Sequence, residues 1–110
     1  MAITSNVKQT IALTGDGLGQ KYVAGSATNI TKARIMSVTG QATAADAEIK
    51  IYNEADDSKT AIKLVFYAKF SNADNHTQSF TIPGEGIYCD AGMYVDLTNC
   101  DFCTIIGTFT

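Results

Sequence analysis

The stretch SKTAIKLVFYAKF, residues 58–70, constrains this chain more than any other. In it Ile62, Leu64, Phe66, Ala68 and Phe70 alternate with Lys63, Val65, Tyr67 and Lys69. A period of two sends successive side chains to opposite faces, so the segment reads as a strand buried on one side by the first set. Before it, Ala47, Ile49 and Ile51 alternate with Glu48, Lys50 and Tyr52. The polar, turn-prone segment NEADDSK joins the two runs, which predicts an antiparallel hairpin.

The remaining chain carries the same texture. VKQTIALT offers Val7, Ile11 and Leu13 to one face, and NITKARIMSVTG is a longer β-rich run ending at Gly40. GDGLGQKYVAGS between them reads as a glycine-rich turn with one short strand. Downstream, TQSFTIP, GIYCD, MYVDLTN and FCTIIGTFT are separated by Pro83-Gly84-Glu85-Gly86 and Ala91-Gly92 turns. Only QATAADAE, residues 41–48, offers a single helical turn. The chain of 110 residues is 45% hydrophobic and 17% charged, with a single proline. This suits one domain, residues 1–110, able to bury a core without metal or disulfide support. The expected fold is all-β, an antiparallel β-sandwich or jelly roll of seven or eight short strands.

A formal net charge of −3 with eight scattered basic residues excludes a polyanion as the natural partner, because phosphate binding needs clustered Lys and Arg. No nucleic-acid partner is expected. MAITSNVKQT lacks the apolar core of a signal peptide, and no segment has the apolar length to span a bilayer as a helix. The chain is therefore expected to begin at or near Met1 in a reducing cytoplasm, without a membrane partner. The sequons at Asn29 and Asn75 then occur by chance.

All three cysteines lie in GIYCDAGMYVDLTNCDFCTIIG, residues 86–107. Cys100-Asp101-Phe102-Cys103 has the C-x-x-C spacing of metal and redox sites, which need a turn that brings both sulfurs to one point. Here the motif opens a predicted strand, where an odd separation sends the side chains to opposite faces. No second such pair exists, and His76 is the only histidine, so a zinc site would need Cys89 with His76 or an aspartate. The cysteines read as small buried hydrophobes. A disulfide from Cys89 to Cys100 or to Cys103 is geometrically open but unneeded in a reducing compartment.

Other chemistry is thinly signalled. Gly15-Asp16-Gly17-Leu18-Gly19 lacks the spacing and following helix of a phosphate loop, and reads as a turn. Asp56-Asp57 and Asp74-Asn75 lack the calcium-loop pattern and read as solvated loop tips. His76 sits in a polar loop with no evident nucleophile, and nothing marks a carboxylate pair for glycoside hydrolysis. The chain is expected to be no enzyme, with no catalytic residues, no metal and no cofactor. Tyr52, Tyr67, Tyr88 and Tyr94 lie on predicted strands, where outward rings form a candidate interaction surface beside their ordinary use in cross-strand packing.

GEGIYCDAGMYVDLTN followed by FCTIIGTF resembles the C-terminal part of small accessory virion proteins of tailed bacteriophages, of the capsid decoration or cement type. The likeness covers about the last quarter of the chain. It implies a β-sandwich or barrel without enzymatic activity, made in the host cytoplasm and carried on the capsid exterior. The implied partner is the major capsid protein lattice, contacted through an edge strand or loop set, and a homo-oligomer is compatible with it. An alternative under the same resemblance is a tail or fibre-associated adhesion module that touches a host glycan or protein. A metal or redox protein is a third reading, resting on the cysteines.

Overall fold

The computed structural model describes residues 7–71 and 77–110. Its strands are β1 (Lys8–Gln9), β2 (Gly17–Leu18), β3 (Gln20–Val23), β4 (Ser26–Asn29), β5 (Ala33–Ala42), β6 (Ala47–Tyr52), β7 (Leu64–Phe70), β8 (Thr77–Thr81), β9 (Ile87–Cys89), β10 (Tyr94–Thr98) and β11 (Cys100–Phe109). All pair antiparallel. The all-β sandwich expectation is met, with eleven strands among the described residues rather than seven or eight. The excess lies around the glycine-rich segment, which forms β2 and β3 where one strand was expected and turns into the further strand β4. As the Pro83-Gly84-Glu85-Gly86 turn predicts, β8 and β9 are separate strands, and both pair with β5.

The layers are β1-β11-β5-β8, extended by β9, and β2-β10-β6-β7. These orders match position by position along the chain: β1 leads to β2, β10 to β11, β5 to β6 and β7 to β8. The sandwich is thus one antiparallel ribbon folded once, with β5 turning into β6 and β10 into β11 where it bends. Strands that switch sheets at a bend are a known way of making such corners. At the centre the bends are tight. Asn99 alone separates β10 from β11 and takes φ 53°, a left-handed conformation that asparagine tolerates better than most residues. The neighbouring corner at Thr43–Asp46 docks on it, with Thr43 N donating to Asn99 O at 2.8 Å and Asn99 Nδ2 to Ala45 O at 3.3 Å. QATAADAE therefore forms strand ends and a corner, not a helical turn.

Ile35, Val38, Cys103 and Ile105 from one layer meet Ile49, Ile51 and Val95 from the other, all fully buried, with Met93 and Cys89 beside them. Each such side chain contributes roughly 1.5–3 kcal/mol by leaving water. Phe66 and Phe70 of β7 meet Phe80 of β8 edge to face at 6.0 and 5.6 Å, closing the side of the sandwich where both layers end.

The β6–β7 hairpin forms as the alternation predicts, from Ala47↔Phe70 to Ile51↔Phe66. Its first turn differs. Ala61–Lys63 is a 3-10 turn, and Ile62 is 90% exposed instead of sharing the buried face. The register jumps from Ile51↔Phe66 to Tyr52↔Leu64, leaving Val65 as the extra residue of a bulge. Val65 thereby turns to the core rather than outward. At the N-terminal end Val7 is exposed and only Leu13 of the expected trio packs on the core. Buried Thr10 takes the inward place, its hydroxyl accepting from Ile105 N at 3.0 Å.

Candidate interaction surface

The loops hold one another. Asp16 of the glycine-rich turn accepts Leu97 N at 2.7 Å through Oδ1, and Lys59 Nζ lies 3.4 Å from Oδ2 and 3.7 Å from Asp96. The hydrogen bond to Asp16, aided by the charge of Asp96, raises the Lys59 ammonium above its ordinary value. That turn is a clamp on β10. Glu54, 4% exposed, accepts Thr60 N through both carboxylate oxygens at 3.1 and 3.3 Å. Asn53 bridges to Asp90 and to Ala91 N, both at 2.8 Å. Gly92 follows at φ 130°, where a Cβ would sit 2.5 Å from Glu54 O, so only glycine lets these two loops close together. Asp56 accepts Ser58 N at 3.0 Å, and hydrogen bonding from the Ser58 side chain, aided by this backbone bond, lowers its pKa. Asp74, Asn75 and His76 lie outside the described residues.

The three cysteines are free thiols. Burial pushes Cys89 up to about 11 and Cys103 to about 12, and it also raises half-buried Cys100. A bulge between Cys100 and Phe102 resets the strand's phase, so both C-x-x-C sulfurs lie on the core side, against expectation from odd spacing. The Cys100 thiol donates to Thr98 O and Glu48 O at 3.4 and 3.5 Å. Such neutral, buried thiols are poor ligands and nucleophiles as they stand. Among the described residues no three His, Cys, Asp or Glu side chains gather around one point.

The four strand tyrosines separate into pairs. Tyr52 and Tyr94 stand opposite each other in β6 and β10, and both are buried at 6% and 9% exposure, which removes them from any surface. Alternation would face Tyr94 outward beside Asp96, but the segment carrying Lys59 folds over this end of the layer. Tyr67 and Tyr88 are exposed, each at 52%, on the outer faces of different layers. Tyr67 donates to Glu48, and Lys50 lies over its ring at 5.4 Å, which engages it in a charged face.

Tyr88 belongs to a different environment. Arg34 of β5 lies over its ring at 5.2 Å and donates to Glu85 O at 3.2 Å, which orients the guanidinium. Beside it Val7, Arg34, Met36, Glu85 and Thr108 line an open depression of about 360 Å³. Val7, Met36 and Tyr88 are exposed hydrophobics brought together here by β5, β9 and the start of β1. Arg, Tyr and Met are the types enriched where proteins meet.

A second exposed feature is the β3–β4 hairpin, a two-stranded sheet apart from both layers. Its strands pair Gln20↔Asn29 through Val23↔Ser26, and Ala24-Gly25 form the turn at φ 51° and 83°. Two positive φ values suit the right-handed twist of a hairpin. Every residue of β4 is exposed, and Tyr22 and Val23 near the tip are 69% and 49% exposed. Sequence reasoning missed this arm and Arg34. The arm's signal was available in QKYV-AG-SATN, two short runs flanking a two-residue turn. Arg34 was legible only as the outward neighbour of Ala33 and Ile35. No family model, curated protein or solved structure matches the chain.

Proposed function

We propose that this chain is a non-catalytic structural protein that binds the outer surface of a phage capsid, with the β3–β4 arm as the element offered to the coat lattice. The arm is the observation that carries the reading. Two short strands alone are marginally stable in water, and these place a tyrosine and a valine in solvent. Beyond the Gln20 carbonyl, which accepts Ile11 N at 2.9 Å, the edges of such a ribbon are open to a partner strand. Many weak arm contacts on a repeating surface become strong together through multivalency. The phage-like C-terminal stretch, which forms β9, β10 and β11, supports the same assignment. Immunogold labelling of gradient-purified virions tests it: label over the whole head is the expected result. Label confined to the tail overturns it in favour of the adhesion module.

A further inference from the structure

We propose that the outer face of the β1-β11-β5-β9 layer is a self-association surface, on which two copies of this chain pack face to face about a two-fold axis through the Arg34–Glu85 depression. This inference stands apart from the decoration reading and needs no capsid.

The two outer faces of the sandwich differ in kind. The β10-β6-β7 face carries Glu48, Lys50, Lys69 and Asp96, with Lys69 paired to Asp46 at 3.5 Å and Lys59 reaching Asp96. It is charged and internally paired, as a solvated face is. The opposite face presents threonine and serine hydroxyls, such as Thr39 bonded to Ser79 at 3.0 Å, around Met36, Tyr88 and Val7. Depletion of charge with retention of Arg, Tyr and Met marks the centre of a protein interface.

Charge complementarity selects a second copy as the occupant. The depression carries one cation, Arg34, and one exposed anion, Glu85. Among the described residues neither forms an ion pair, although Arg34 already bonds the Glu85 carbonyl. In an isologous contact each patch meets its own copy, so Arg34 opposes Glu85 of the partner subunit twice over, with Met36 and Thr108 packed between. A partner of single-signed charge would satisfy only half of this pattern.

The size of the face sets the strength. Ten-residue strands span about 33 Å, and the layer is about 15 Å wide, which gives roughly 500 Å² per copy. A standard stable complex buries roughly 800 Å² per partner, so a contact confined to this face belongs to the small, reversible class.

Sedimentation velocity on the purified chain across low to high micromolar concentration tests the proposal. The wild type should pass from monomer to dimer. Arg34→Glu and Glu85→Arg should each weaken association roughly a hundredfold, because two like-charge contacts replace two opposite ones. An equimolar mixture of the two variants should dimerise again, since each heterodimer contact then pairs opposite charges; this rescue also shows that both variants fold. Met36→Glu should act like the single charge reversals. A wild type monomeric throughout overturns the inference, as do variants that associate like the wild type or a mixture that stays monomeric. A monomeric wild type whose head binding is lost in Arg34→Glu would instead assign the face to the coat lattice.

Discussion

Burial sets the chemistry of the cysteines, and pH reads it out. In the unfolded chain a thiol ionises near its ordinary 9.0, whereas folded Cys89 keeps its proton to about 11 and Cys103 to about 12. The stability that these neutral thiols contribute is complete below the unfolded value. It is lost as pH rises from about 9 toward 11–12, because the unfolded state alone gains by ionising there. Urea midpoints should therefore fall steeply above pH 9, and a Cys89→Ala, Cys103→Ala double variant should show a shallower fall. An unchanged slope would mean that these sulfurs are not buried. A second contrast lies on the hairpin: Phe66→Ala should cost about 3 kcal/mol through lost contacts with Phe80 and the core. Ile62→Ala, at a residue 90% exposed, should change stability by less than about 0.5 kcal/mol. Chemical denaturation of both variants decides whether the strand begins at Leu64 or earlier.

At the scale of elements, the arm and the folded ribbon should separate in stability. The β3–β4 hairpin pairs with neither layer, whereas β5 and β11 share a long ladder at the centre of the fold. Amides of Lys21, Tyr22 and Ala27 should exchange with solvent orders of magnitude faster than those of Ile35 and Ile105, since local opening of the arm breaks no core contact. Equal protection would show that the arm is tied to the body. The elements also show what sequence can carry. Alternation located β6, β7 and the central runs because one buried face imposes a period of two. It failed where the ladder is broken: the bulge at Val65, the bulge after Cys100 and the 3-10 turn at Ile62 each shift the phase by local geometry that no pattern of apolar residues marks. The candidate surface was half legible. Tyr88 follows from alternation, but the covering of Tyr94 depends on a loop placed by Asp16, distant in sequence, and the apposition of Arg34 with Glu85 depends on β5 pairing with β9.

For the whole molecule, one ribbon folded into a sandwich yields a rigid body with two unlike faces and a projecting arm. Tight corners at Asn99 and Thr43–Asp46 fix the layers relative to each other. Those fixed layers suit the contact role proposed above, and self-association of one face would place two arms on a common unit. Under the proposed capsid reading, a lattice site shared by neighbouring coat subunits offers all the contacts at once, so binding should depend on assembly. The most direct measurement of the decoration proposal is the number of copies that co-sediment with expanded empty phage heads, with unexpanded proheads and with soluble coat protein. Saturation at a fixed, symmetry-related number on expanded heads, little binding to soluble coat protein, and a loss on replacing Tyr22 and Val23 by serine is the predicted result. Expanded heads that bind nothing, while isolated tails or host cells do, would contradict it.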